Sequence, residues 1–329
     1  MNNPLLSICI ATYNRAAYIG ETLDSILPQL DDEVELLVVD GASTDNTEDV
    51  IQRYIEVDSH IRYVRLPAKG GVDRDYDKSI ELAHGEFCWL FTDDDLLRPG
   101  AVIAVKAALS EGYGLVIVNA EVRDRELAVI VQNRRIAMQN NKAYGLNSIE
   151  HLFIDALSYL SFIGGLVIRR SIWLNRERES YFGTEFIHVG VIFQKPLPDP
   201  ALIIATPYII IRYGNGQWTP RHFDIWMFKW PRLVWSFCLI SDRAKQCIVQ
   251  KEPWRRLINL ILQRGRGTYT AHHYQKYFSS LSSMKLWKIC AFLISRLPIK
   301  ILAYFLYYYG RLIRTNELLL HDLNPQNRW

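Results

Sequence analysis

The sequence predicts an α/β protein built on a doubly wound, mainly parallel, Rossmann-like sheet, followed by a helical C-terminal region. Three observations carry this. Short β-branched runs alternate with helical patterns through the first hundred residues, the order expected of β-α-β units. A polar cluster follows each run, and open α/β sheets bind ligands in the crevice beyond the carboxyl ends of their strands. Past about residue 220 the chain becomes aromatic, basic and helical in pattern.

Strands are expected at residues 5–11, 34–39, 61–66 and 87–91, and helices at 18–27, 47–55, 75–83 and 99–110. Asp45 stands three residues before Glu48, as in a capping box, with Thr44 as the other candidate cap. Pro99 suits a first helical turn, and Gly70, Gly71 and Gly85 mark turns. Further on, residues 115–122, 128–136, 163–168 and 201–213 read as strands and 149–157 as a helix. Trp254, Leu257, Ile258 and Ile261 are spaced 3, 4 and 7 apart, which predicts one apolar helical face. Composition and charge change together near 220, so two domains are expected, 1–220 and 221–329.

The chain has 329 residues, 49% hydrophobic and 22% charged, enough for a large core. Its net charge of +3 hides an asymmetry: beyond residue 220 there are 18 Lys and Arg against 5 Asp and Glu, and before it 20 against 30. A basic tail on an acidic body points to an anionic partner for the tail, a membrane surface or a nucleic acid. Without a nucleic-acid recognition motif, the second is disfavoured. The five cysteines are odd in number with no CxxC pair, as expected of reduced structural thiols in a cytoplasmic chain. No secretory signal is read at the N-terminus. The most apolar stretch, 286–309, is interrupted by Lys288, Arg296, Pro298 and Lys300, which argues against a spanning helix.

The candidate chemistry lies at the strand ends. Thr12 to Arg15 follow the first strand, Asp40 to Ser43 the second, Lys69 to Asp75 the third, and Thr92 to Asp95 the fourth. Asp93, Asp94 and Asp95 are three adjacent carboxylates after a buried run, and such repulsion is usually offset by a hard cation such as Mg²⁺ or Mn²⁺, completed by a diphosphate. A solvated acidic turn is the alternative. Asp40 suits a base edge or ribose hydroxyl, or an Asx turn; Arg74 suits a phosphate, or its neighbours Asp73 and Asp75. No GxGxxG or P-loop is present, which disfavours dehydrogenases and P-loop enzymes.

The stretches Ile10-Ala11-Thr12-Tyr13-Asn14-Arg15, Val38-Val39-Asp40-Gly41-Ala42-Ser43-Thr44-Asp45-Asn46-Thr47 and Phe91-Thr92-Asp93-Asp94-Asp95 together resemble the N-terminal half of family 2 glycosyltransferases with the GT-A fold. A weaker likeness, through Asp73-Arg74, Cys88-Trp89, Phe182-Gly183-Thr184 and His188-Val189, is to the abequosyltransferase-like members that act in O-antigen assembly. The resemblance implies a nucleotide-sugar donor held by Thr12, Tyr13, Asn14, Arg15, Asp40, Arg74, Asp93 and Asp94. It implies a metal, Mg²⁺ or Mn²⁺, among Asp93, Asp94 and Asp95, although Thr92 stands where many relatives have Asp. Glu185 matches the catalytic base of inverting relatives, or serves only as a helix N-terminal carboxylate. His188, three residues on, is the competing base, a metal ligand or a structural histidine.

The family also implies a polyprenyl-linked saccharide acceptor and a peripheral place on the cytoplasmic face of the inner membrane, reached through an amphipathic helix pair within residues 285–314. Trp173 and Trp218 are candidate sugar platforms, or buried aromatics; Gly164-Gly165 suits a close acceptor approach, or a strand bulge. Other classes stay open on the sequence: nucleotidyl or sugar-phosphate transfer, and a membrane-bound scaffold with a degenerate site.

Overall fold

A computed structural model describes residues 3–217, 219–282, 285–324 and 326. Trp218, one of the two candidate sugar platforms, lies outside them. The chain divides into two units, one of residues 1–214 with Phe237–Ile248, the other of Asn215–Ser236 with residues 249–329. The chain therefore leaves the first unit just after Gly214, not at 220, and returns to it once.

In the first unit the strands are β1 (Leu6–Thr12), β2 (Val34–Asp40), β3 (Ile61–Arg65), β4 (Phe87–Phe91), β5 (Leu96–Leu97), β6 (Leu115–Arg123), β7 (Ile130–Gln132), β8 (Lys142–Tyr144), β9 (Leu166–Arg169) and β10 (Ala201–Arg212). The helices are α1 (Ile19–Ile26), α2 (Thr47–Ile55), α3 (Val72–Leu82), α4 (Ala101–Ser110), α5 (Ile149–Ala156), α6 (Arg170–Leu174), α7 (Ile187–Phe193) and, in the returning segment, α8 (Asp242–Ile248). One sheet has the order β3-β2-β1-β4-β9-β6-β10-β5, with β7 beside β6 and β8 beside β10. β1 to β4 are mutually parallel, β9 runs against β4 and β6, and β6 is parallel to β10. The expected mainly parallel sheet is present, with one reversed strand set inside it.

The central strands are apolar on both faces because helices cover both. Ile8, Cys9 and Ile10 of β1 and Cys88, Trp89, Leu90 and Phe91 of β4 are fully buried. The register sets Thr12 opposite Asp40 and Asp40 opposite Arg65, so the first three strands end on one rim.

The departures from expectation are local. α3 starts at Val72 rather than 75, directly after Gly71, whose φ of 86° ends the preceding turn. The strand expected at 128–136 shrinks to β7. α4 begins at Ala101 behind Gly100, so Pro99 stands outside it. The Asp45–Glu48 capping box does not form. Asp45 accepts the Thr47 N–H at 3.0 Å, but the Glu48 carboxylate goes instead to Arg65 at 3.0 Å. At Gly164 and Gly165 the space a Cβ would need is taken by the rings of Phe162 and Tyr159, so both glycines serve packing.

Chain 237–248 belongs to the first core. Phe237 meets Phe153 and Phe193 at ring-centroid distances of 6.3 and 5.9 Å, and Glu150 accepts both the N–H and the hydroxyl of Ser241. The second unit packs around Phe223, Met227, Leu260, Tyr269, Phe278, Ala291 and Ile294. Trp254, Leu257 and Ile261 join this core, but Ile258 is half exposed. Trp254 sits in the separate turn Pro253–Arg255 before helix Leu257–Gly265, so the helical period does not carry through it. Among the described residues no single helix is long and apolar enough to cross a membrane; Lys285–Arg296 and Ile299–Leu312 meet at a bend of 100°.

Candidate active site

The loops after β1 and β2 are laced together by side chains. Asn14 donates its N–H to Ser43 Oγ at 2.9 Å, and its Oδ1 accepts the Thr44 N–H at 2.7 Å. Both loops need left-handed backbone, with φ of 53° at Asn14 and 63° at Ala42; the lacing holds a conformation that costs about 1–2 kcal/mol for a non-glycine residue. Gly41 is required here, since a Cβ would come within 2.9 Å of an Asp75 carboxylate oxygen. Tyr13 carries the Lys69 ammonium over its ring at 3.5 Å, which joins the third strand end to the first.

Asp40 departs from its expected role. Its carboxylate is fully buried: Oδ1 accepts the Ser43 N–H at 2.7 Å and Oδ2 accepts the Tyr63 hydroxyl at 2.8 Å and Arg65 at 3.4 Å. It braces the second loop, as the Asx-turn alternative has it, and is not presented to a nucleobase.

The acidic triplet splits in two. Arg15 makes ion pairs with Asp93 at 3.3 Å and with Asp94 at 3.2 Å. Burial and the Asp94 charge push the Asp93 carboxyl up to about 7, against the pull of Arg15. A buried carboxylate pair with this much residual repulsion fits a hard divalent cation. Asp95 faces elsewhere. It accepts the Thr92 hydroxyl on Oδ2 and the Arg212 N–H at 2.7 Å on Oδ1, so it ties the motif to the end of β10. Among the described residues no three carboxylate, His or Cys side chains gather as a metal cage.

α3 connects this motif to the Glu185 segment. The Tyr76 hydroxyl donates to the Phe91 carbonyl at 2.8 Å, next to the triplet. One turn earlier Asp73 accepts the N–H groups of Glu185 at 2.9 Å and Ile187 at 3.0 Å. Arg74 stacks its guanidinium over Phe182 at 4.2 Å. Glu185 lies before α7 with a φ of 74°, so Glu185 and His188 do not share a helical face.

His188 is a core residue. It is 1% exposed, and its Nε2 meets the Leu160 carbonyl at 2.7 Å, which requires the proton on Nε2. Burial drives its pKa down to about 4, so the ring is neutral and faces the interior. Trp173 is likewise buried, donating its indole N–H to Asp77 at 2.8 Å, and is no sugar platform.

Sequence reasoning missed Arg212 and Asp73. A lone arginine closing the apolar run 201–211 was the available signal for the first. Asp73 stands in the Asp73-Arg74 pair noted above, but its partners lie 112 and 114 residues away and nothing local names them.

The family described as Glycosyl transferase family 2 matches over residues 7–173, half of the chain. The chain belongs to glycosyl transferase family 2. It is a nucleotide-sugar glycosyltransferase of the GT-A fold. Its relatives include the abequosyltransferase RfbV of Salmonella typhimurium, 26% identical over 230 residues that cover 66% of this chain and 69% of that protein. A GalNAc(5)-diNAcBac-PP-undecaprenol beta-1,3-glucosyltransferase of Campylobacter jejuni is 32% identical over 117 residues, 35% of this chain and 38% of that one. Among solved structures, TarS 1-349 of S. aureus in complex with UDP superposes with a TM-score of 0.56 at 15% identity, covering 97% and 88% of the two chains. The mannosyltransferase PcManGT of Pyrobaculum calidifontis, in complex with GDP-Man and Mn2+, gives 0.54 at 19%, covering 100% and 88%. At these identities the structural neighbours establish the shared fold.

Proposed function

We propose that this glycosyltransferase moves a sugar from a nucleoside diphosphate to a hydroxyl of a lipid-linked saccharide in the assembly of a bacterial surface polysaccharide. The relative named for an undecaprenol-linked acceptor supports the acceptor class. Asp93 and Asp94 would hold Mg²⁺ or Mn²⁺, which when bound supplies positive charge to the departing diphosphate. Arg15, beside both carboxylates, adds a second cation at that point. Thr12, Tyr13 and Asn14 form the wall of the donor crevice, and Arg74 flanks it on α3. Glu185 takes the proton of the acceptor hydroxyl as its oxygen attacks the anomeric carbon.

The observation that carries this reading is the buried Asp93–Asp94 pair bridged by Arg15 at the carboxyl end of β4. Calorimetry with UDP, CDP and GDP, with and without Mn²⁺, tests it. One nucleotide should bind, more tightly with Mn²⁺, and D93N/D94N should abolish the Mn²⁺ effect; binding of none of the three sinks the reading. E185Q should retain nucleotide binding and lose turnover by about 10²–10⁴-fold.

The second unit serves in this reading to hold the enzyme at the cytoplasmic face of the inner membrane. Leu286, Ile289 and Leu293 on one helix and Ile301, Phe305 and Leu312 on the next are exposed, and Lys285, Arg296, Lys300, Arg311 and Arg314 accompany them. Apolar side chains flanked by cations suit the headgroup plane of anionic lipids. Lys288 takes no part, since its ammonium is bonded to the Ser279 and Leu281 carbonyls. Flotation with phosphatidylglycerol-containing vesicles should recover the protein, and I301D/F305D should leave it unbound; equal recovery of both proteins would overturn the assignment.

A further inference from the structure

Glu185 is held in an unfavourable backbone conformation, and what holds it is a side chain from another helix. Its φ of 74° is unfavourable for an ordinary residue and persists only where surrounding contacts over-determine it. The residue preceding α7, Phe186, offers no side-chain cap. Asp73 supplies it from α3: one carboxylate oxygen accepts the Glu185 N–H at 2.9 Å, the other the Ile187 N–H at 3.0 Å. Asp73 is 4% exposed, so these bonds are shielded from water and are charge-assisted. The same helix is anchored to the end of β4, just before Asp93 and Asp94, by the Tyr76–Phe91 bond.

We propose that Asp73 is a positioning residue: its carboxylate fixes the backbone of Glu185 relative to the donor rim and so sets where the base meets the acceptor hydroxyl. This rests on the reading of Glu185 as the base. α3 then works as a strut between the group that receives the proton and the motif that faces the diphosphate. A base displaced by a fraction of an ångström loses much of its effect, because proton transfer requires hydrogen-bond reach. Asp73 touches neither donor nor acceptor in this proposal and acts only through Glu185.

Asp73→Asn retains the shape but keeps one acceptor oxygen for two N–H groups; Asp73→Ala removes both. Turnover and donor KM are measured for D73N, D73A, E185Q and D73N/E185Q, with donor affinity by calorimetry and folding by thermal melting. The expected result is a kcat lowered about 10–100-fold in D73N and further in D73A, with donor KM and affinity within about threefold of the parent. In the E185Q background, D73N should add less than about twofold, since both changes remove one function. If D73A does not fold, D73N carries the test alone. Should D73N lower kcat by the same factor with and without Glu185, or leave it unchanged while E185Q is inactive, the positioning role is overturned. Full turnover by E185Q is a different failure, that of the base assignment itself.

Discussion

The Asp95 carboxylate accepts the backbone N–H of Arg212 at 2.7 Å, and the Arg212 guanidinium donates back to the carbonyl of Asp94 at 3.0 Å. The end of β10 and the acidic motif thus hold each other reciprocally, 117 and 118 residues apart in sequence. The guanidinium also reaches Glu21 at 2.6 Å and the Arg125 carbonyl at 3.0 Å, in a nearly buried position.

Removing this fork should loosen the motif. R212A keeps the backbone bond to Asp95 but strands the Asp94 and Arg125 carbonyls, and is expected to destabilise the protein by about 2–4 kcal/mol and to weaken Mn²⁺-dependent nucleotide binding about tenfold or more. R212K, with a single ammonium in place of a planar fork, should fall between the two. Urea unfolding and calorimetry read both quantities; an R212A protein with parental nucleotide affinity would show that the fork does not shape the site.

Asp93 predicts a pH dependence of unusual sign for a carboxylate. Its folded pKa is raised to about 7 from an ordinary value near 4, so between those limits the folded state binds more protons than the unfolded one. Stability from this group is present at low pH and is lost as pH rises from about 4 to about 7. D93N should flatten that part of the stability curve. Measuring melting temperature against pH without divalent ions checks this, and a D93N curve parallel to the parent's would refute it.

His188 predicts the opposite slope. Held neutral with a pKa near 4, it charges more readily when unfolded, so its contribution is present above about 6.5 and is lost as pH falls toward 4. H188F, which cannot donate to the Leu160 carbonyl, should cost about 1–3 kcal/mol in stability. Its pH profile of turnover should nevertheless keep the parental shape, and a lost limb in that profile would return His188 to catalysis.

The left-handed backbone at Glu185 predicts that glycine outperforms alanine there, the reverse of the usual order. E185G should be more stable than E185A by about 1 kcal/mol, because alanine keeps the steric cost of φ > 0. Both should lack normal turnover. Equal unfolding midpoints for the two would mean that the conformation carries no strain.

Much of this molecule was legible in its sequence because the relevant signals are local. β1 to β4 announce themselves as buried apolar runs, and the polar residues closing them fall on one rim simply because parallel strands end together. The meeting of Arg15 with Asp93 and Asp94 on that rim follows in this way. Misreadings arose where the outcome depended on distant partners. Asp40 is consumed by Tyr63 and Arg65 from the neighbouring strand, Asp95 by the backbone of β10, and His188 by a carbonyl 28 residues earlier. Only the Asp40 turn to Ser43 and the Thr92 hydroxyl on Asp95 are local; the remaining partners lie too far along the chain to be read from it. Asp73 is the converse case: the sequence offers it as a partner for Arg74 and as half of the Asp73-Arg74 pair, and only the fold places it under Glu185.

The return of chain 237–248 to the first core bears on how this protein can be cut and exchanged. A protease nick between Gly214 and Phe237 divides the polypeptide but does not free its C-terminal fragment, which stays docked through Phe237 and Ser241 on α5 and α7. Recombination meets the same obstacle: a crossover at residue 220 would hand a new host the aromatic tail together with the last piece of the catalytic core. A junction after Ile248 fails in the opposite way, because it leaves Phe223 and Met227 of the second core behind, so no single crossover transfers that unit whole and its change proceeds by piecemeal substitution within the helices themselves.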